Sequence, residues 1–266
     1  MTSPDDGPLL IQQDGAVRTL TLHRPAAFNA FDSTLKPAFL EALRRAAADA
    51  DVRAVVITGS GRAFCAGQDL KEHLRLVTAH DPRLADTVSE FFNPVVRLLA
   101  DMGKPVIAAV NGPAAGAGTG LAAACDLRIA ARSAVFRTSF AGVALSADTG
   151  LSFHLPRLVG TGRAMRMLLL DEPVAADEAL AIGLVDQVVD DADFPDAVHE
   201  LAGKLADGPT AAFGWIARSV RFASANALDA ALDWEDRAQA ACFAGTDHRE
   251  AIEAFVGKRA PTFTGG

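Results

Sequence analysis

Two short runs constrain this chain more than anything else in it: "VRAVVITG" (52–59) and "PVIAAVNG" (105–112). Each is almost continuously apolar, carries β-branched residues and ends in glycine. A strand that is apolar at nearly every position must be buried on both faces. That is the habit of parallel sheets whose crossover connections carry helices. Other strands follow the same economy of length. "LLIQQ" (9–13) and "AVRTLTL" (16–22) flank Asp14-Gly15 and read as a hairpin. "DLRIAA" and "AVFRTS" (126–139) and "LVDQVV" (184–189) add more. Ser33 is placed to cap a helix whose apolar stripe uses Leu35, Phe39, Leu43 and Ala46. From about residue 193 the pattern turns wholly helical, in four segments parted by Gly-Pro, Asn and Gly-Thr breaks. The expected organisation is an α/β core of repeated strand–strand–helix units over 1–192 and a helical region over 193–266.

Composition bounds what such a chain can do. At 266 residues, half of them apolar, it has enough material for a substantial core. A net charge of −8 argues against a nucleic-acid surface, which needs a basic face to neutralise phosphates. Three cysteines (Cys65, Cys125, Cys242) show no framework spacing and fit reduced thiols in a cytoplasmic setting. The N-terminal "MTSPDDGPLL" is acidic and lacks the pattern of a signal peptide. No apolar run approaches the roughly 20 residues of a membrane span. A soluble cytoplasmic protein is the expectation, with neither membrane nor nucleic acid as partner.

The second of the two runs leads into "GPAAGAGTGLAAACD" (112–126), with four glycines between Gly112 and Gly120. Both nucleotide-binding templates fail here. Gly116-x-Gly118 is followed by Leu121 where a dinucleotide fingerprint needs its third glycine, and no phosphate loop with its lysine occurs. What remains is a strand entering a glycine turn and then a helix, which gathers free N–H groups and a positive helix end. The bland alternative is close packing at a tight turn. The first run has the same design in "VVITGSGRAFCAGQDLKE" (55–72). There Asp69 and Glu72 have capping-box spacing, so Asp69 reads as an N-cap, and Cys65 as a buried structural thiol. Two such turns, each offering one unpaired N–H, suit an oxyanion, and each donor is typically worth about 3–4 kcal/mol in a transition state.

The pairing of "GRAFCAGQDL" with "KPVIAAVNGPAAGAGTGLAAACDLRIAA" closely resembles the enoyl-CoA hydratase/isomerase, or crotonase, superfamily. "LHRPAAFNA" (22–30), "LPRLVGTGRAMRMLLL" (155–170) and "AFVGKRAPTF" (254–263) extend the resemblance from about residue 9 to 263. It implies the crotonase (ClpP/crotonase-like) fold, an α/β spiral of β-β-α units with a C-terminal helical region that trimerises. It also implies a thioester carbonyl held by two backbone N–H groups, here those of Gln68 and Ala117. By the same resemblance Arg24, Ala26 and Phe28, with Ala66, Gly67, Asp69 and Leu70, flank the coenzyme A nucleotide end. Pro113, Gly116 and Phe140 join the substrate-binding set, and Lys258 with Arg259 would reach the phosphates, across a subunit boundary in one arrangement. The family assembles as trimers or dimers of trimers.

On such a scaffold the reaction depends on which acids face the acyl carbons. Hydratases of the family use two glutamates, and their positions fall here on Gly120 and Phe140. Both carboxylates are missing. One acid stands elsewhere: Asp148, in "FAGVALSADTGLSFHLPRLVG", where double-bond-shifting members and the phenylacetyl-CoA ring-epoxide isomerases carry one. The 4-chlorobenzoyl-CoA dehalogenases do too, as a nucleophile, but they have tryptophan at the position of Phe140. A single carboxylate can take a γ proton, leave a dienolate in the oxyanion hole and return the proton at the α carbon. Burial should raise the pKa of Asp148 and a helix N-terminus at Thr149 should lower it. Its bland role is N-cap of that helix. Glu90, on a helix over 84–100 interrupted at Pro94, is a candidate second acid, and His154 reads as a helix-surface histidine. Asp126 reads as structural. The six histidines have no metal-ligand spacing.

The expectation is therefore an acyl-CoA isomerase of fatty acid or phenylacetate metabolism, shifting a double bond or opening a ring epoxide. It would need no metal and no cofactor beyond the coenzyme A of its substrate. Two rivals stand beside it: an enoyl-CoA hydratase with non-standard acids, and a non-catalytic acyl-CoA-binding protein.

Overall fold

The computed structural model describes residues 7–266; the start of the acidic N-terminal stretch lies outside them. Strands β1 (Leu9–Asp14) and β2 (Val17–Leu22) form the antiparallel hairpin. Asp14 pairs with Val17, so the loop residues are Gly15 and Ala16, one position later than the sequence pattern placed them. Gly15 supplies the left-handed φ of +54° that the turn requires. Helix α1 (Leu35–Ala48) follows, then β3 (Ala54–Gly59), α2 (Leu70–Thr78), α3 (Arg83–Thr87) and α4 (Asn93–Asp101). The middle of the chain holds β4 (Val106–Val110), β5 (Ala114–Ala115), α5 (Ala117–Ala124), β6 (Leu127–Ala131) and β7 (Val135–Arg137). Next come α6 (Leu151–Val159), α7 (Thr161–Leu170), β8 (Val174–Ala175), α8 (Ala176–Ala181) and β9 (Gln187–Val189). Helices α9 (Phe194–Ala206), α10 (Thr210–Ala223), α11 (Leu228–Phe243) and α12 (Thr246–Val256) complete the chain.

The large sheet runs β1-β2-β3-β4-β6-β9, parallel from β2 onward. A small sheet, β5-β7-β8, stands beside it, and a single bridge from Cys65 to Ala114 extends it by one residue. Each repeat thus gives a strand to the large sheet, a short one to the small sheet, and then a helix. The segment β4-β5-α5 is one turn of this spiral and β6-β7-α6 is the next. The strand reading of 184–189 shortens to Gln187–Val189, because Leu184 and Val185 are spent packing the core after α8.

The two buried runs behave as their composition demands. In β3 and β4 alternate side chains split between two apolar layers. Val55, Ile57, Val106, Ala108 and Val110 join the main core with α1, α4 and α5. Val56, Ile107 and Ala109 face the other way, onto Phe194 and Ala202 of α9. The first helix after residue 192 therefore covers the second face of the sheet.

Two local expectations change. Helix α1 is not capped by Ser33: the Asp32 carboxylate accepts from the backbone N–H of Thr34 (3.0 Å) and Leu35 (2.8 Å). Nor does Pro94 interrupt its helix. A π-helical turn over Val88–Phe92 absorbs the proline, which lies in the first turn of α4, and carries the axis through. Phe91 and Phe92 from this turn pack with Phe31, whose ring also meets Phe39. Among the described residues no helix is long and apolar enough to cross a membrane.

Candidate active site

The two glycine turns lie against each other at one end of the sheets. Ala115 N–H donates to Cys65 O (2.9 Å), and Phe64 N–H to Pro113 O (3.1 Å). Gly67 has φ +84°, and a Cβ there would stand 2.8 Å from Ala115 O and 3.0 Å from Ala117 N. A Cβ on Gly118 would overlap the Cys65 carbonyl. Only bare backbone permits this approach. It leaves Gln68 N–H and Ala117 N–H without acceptors among the described residues. Ala117 opens α5, so its N–H carries the positive end of that helix as well. The Cys65 thiol beside the turn is fully buried and pushed up to about 12 by desolvation, which fits a structural role.

Gln68 and Ala117 both line a cleft of about 390 Å³. Ala66, Gln68, Leu70, Gly116, Ala117, Phe140 and Asp148 line it, all of them expected from the sequence. Gln68 also brings a buried side-chain amide nitrogen with no hydrogen-bond partner among the described residues. The sequence assigned no site role to His73, Ser139, Ser146, Leu145, or to Thr87 and Val88 at the start of the π-turn, all of which line the cleft. Those on the 139–148 loop were hidden because its course depends on left-handed backbone at Ser139 (φ +56°) and Ala144 (φ +57°), which their residue types do not announce. Asp171 pins the start of this loop by accepting from Ser139 N–H (2.6 Å) and Arg137 (3.1 Å).

Asp148 is the one carboxylate lining the cleft among the described residues. Burial raises its pKa, and a hydrogen bond from Thr149 Oγ1 to Oδ1 (2.7 Å) pulls the other way. It is not a side-chain N-cap. Helix α6 begins at Leu151, two residues later than expected, and takes Asp148's backbone carbonyl instead (2.9 Å). Gly120 lies buried in α5, where a Cβ would stand 2.8 Å from Thr149 Cβ. Glu90 is exposed and outside the cleft. His154, expected on a helix surface, is instead half-buried over Gly150 beside Val96. Desolvation, with Arg221, Arg128 and Arg157 nearby, pushes it down to about 4.

The residues expected around the nucleotide end divide in two. The Arg24 guanidinium is committed to Asp69 and Asp32, each at 3.0 Å, and Asp69 also caps α2 through Lys71 and Glu72 N–H. These side chains build the loop rather than face outward. Ala26, Phe28 and Ala66 are exposed, and Ala66 N–H donates to Phe28 O (2.9 Å). Arg62, not anticipated, lies 4.4 Å over the Phe28 ring. Lys258 is exposed beyond α12 and away from the cleft lining, while Arg259 pairs with Glu250. Asp126 is structural as read, accepting from Val106 N–H (2.8 Å) and from Arg221.

The description "Enoyl-CoA hydratase/isomerase" belongs to the family that matches residues 12–266. The chain belongs to that family. It is 42% identical over 97% of its length to the 1,2-epoxyphenylacetyl-CoA isomerase of Escherichia coli (strain K12), covering 98% of that protein. It is also 42% identical to a probable enoyl-CoA hydratase of Rhodobacter capsulatus, over 92% of this chain and 93% of that one. A solved structure from Mycobacterium abscessus, described as an enoyl-CoA hydratase/isomerase, superposes with a TM-score of 0.92 at 42% identity, covering 97% of this chain and all of the other. The fold is the crotonase fold, and the chain is an enzyme of this hydratase/isomerase family.

Proposed function

We propose that the protein is an acyl-CoA isomerase in which Asp148 moves a proton between the α and γ carbons of an enoyl thioester. The observation that carries this reading is a cleft whose one carboxylate, among the described residues, shares the lining with Gln68 and Ala117, whose N–H groups have no acceptor there. The thioester oxygen accepts from Gln68 and Ala117 N–H. Asp148, as carboxylate, takes a proton from one carbon, and the electron pair runs into the carbonyl to give a dienolate whose charge the two donors hold. The same carboxyl then protonates the other carbon and regenerates its charge. Substrate and product are isomers, so the step needs no metal and no redox cofactor. Two features speak against water addition of the two-glutamate kind: Phe140 fills one position, and Thr149 occupies the space beside Gly120. The likeness to a ring-epoxide isomerase extends the candidate substrates to an epoxide of an arylacetyl thioester.

The test follows both reactions. Wild-type protein should convert a β,γ-enoyl-CoA to its conjugated isomer, and Asp148→Asn should lower kcat by about 10²–10⁴-fold. Crotonyl-CoA should lose its conjugated absorbance only slowly. Hydration near 10 s⁻¹, about the median for enzymes, would make this a hydratase instead. No turnover of any acyl-CoA by wild type would favour a binding protein.

A further inference from the structure

We infer that Thr149 is a positioning residue for the proton shuttle: it fills the space left open by Gly120 and holds Oδ1 of Asp148, leaving Oδ2 as the oxygen that takes and returns the proton. The inference rests on the assignment of Asp148 as the acid/base. Four observations carry it. Thr149 is 1% exposed, so its hydroxyl is shielded from bulk solvent. Its Oγ1 donates to Asp148 Oδ1 at 2.7 Å, the length of a good charge-assisted bond. Its backbone is left-handed, at φ +52°, an uncommon state for a β-branched residue and one that persists only where surroundings enforce it. Finally, Gly120 in the facing helix is the reason the side chain fits. A Cβ there would stand 2.8 Å from Thr149 Cβ and 3.2 Å from Thr149 Cγ2.

The geometry also explains why the hydroxyl matters at this site. A carboxyl that gives and takes one proton must present the same oxygen to two carbons in turn. An Asp side chain on an irregular loop has two χ angles free to prevent that. Nothing else fixes it: Asp148 receives no other side-chain hydrogen bond and no charged side chain faces it among the described residues. His73 of α2 is the other titratable group in the lining among the described residues. His154 of α6 lies over Gly150, near Arg221 and Arg128. Gly120 and Thr149 thus act as one device, a hole in a helix and the side chain that fills it.

Three variants test the device with two readouts. The readouts are kcat for β,γ-enoyl-CoA isomerisation, and the titration midpoint of the Asp148 carboxyl carbon, followed by NMR in ligand-free protein. Thr149→Val keeps the shape and the β-branch but removes the donor. It should lower kcat about ten- to a hundredfold, leave KM nearly unchanged, and move the Asp148 midpoint to higher pH. Thr149→Ser keeps the donor and should restore both. Gly120→Ala, which pushes Thr149 aside without touching the hydroxyl, should reproduce the valine result. Wild-type kcat and midpoint in both Thr149→Val and Gly120→Ala would overturn the inference, as would a serine variant as impaired as valine. The midpoint needs no turnover, so it tests the hydrogen bond even if Asp148→Asn shows that another group does the chemistry.

Discussion

At the scale of single residues, the site turns on how Asp148 is charged. The sequence pattern sets burial against a helix N-terminus at Thr149. In the structure α6 begins at Leu151 and meets the Asp148 backbone carbonyl rather than its carboxylate. Burial therefore dominates and raises the pKa, with the Thr149 hydroxyl as the opposing influence. The raised value has a consequence for stability with a definite sign. The folded state binds this proton more tightly than the unfolded chain does. Folding is then favoured by Asp148 at low pH, and that benefit is lost as pH rises from about 3.8 through the raised folded value. Asp148→Asn should accordingly melt higher than wild type at pH 7–8, with the advantage vanishing toward pH 4. Thermal melts across that range check it; a variant that melts lower at pH 8 would mean the carboxylate is not strained by burial. A gain in stability paired with a loss of turnover is the mark of a functional group held in an unfavourable place.

At the scale of elements, the two strand–turn–helix units were legible because glycine, alanine and β-branched residues leave little choice. The turns announced that each would offer a free N–H, the family resemblance singled out Gln68 and Ala117, and both N–H groups stand without acceptors among the described residues. Less legible were the details set by side-chain competition. Asp32 outcompetes Ser33 as cap of α1, because a carboxylate can accept two backbone N–H bonds at once where one hydroxyl would serve. The π-turn before Pro94 and the left-handed residues of the 139–148 loop leave no trace in residue type. Gly67 offers the sharpest test of the paired turns. With φ +84° and Ala117 N within 3.0 Å of a built Cβ, Gly67→Ala must move one turn off the other. It is expected to cost about 1–3 kcal/mol in urea unfolding and about 10²–10³-fold in kcat, the usual loss for one oxyanion donor. Wild-type kcat in that variant would show that the spacing of the two turns is not what holds the oxygen.

At the scale of the whole molecule, a six-stranded sheet is covered on one face by α1, α4 and α5 and on the other by α9. The last three helices leave apolar surface uncovered: Ile216, Val220, Leu228, Leu232, Ile252 and Phe255 are all exposed. We read this as the trimerisation surface expected for residues beyond 193. Analytical ultracentrifugation at micromolar concentration should find a trimer or hexamer, and Phe255→Asp should shift it toward monomer. A monomeric wild type would remove the reading. The π-turn at Val88–Phe92 carries one more residue than an α-helical turn spanning the same rise, and Thr87 just before it and Val88 at its start form part of the cleft wall. Dropping a single residue there would restore regular winding and swing that wall by about 100° about the helix axis. Neither Asp148 nor the two N–H donors lies on this helix. Losing or gaining one codon at this turn would thus reshape one wall of the cleft, with Asp148 and the two N–H groups left where they are.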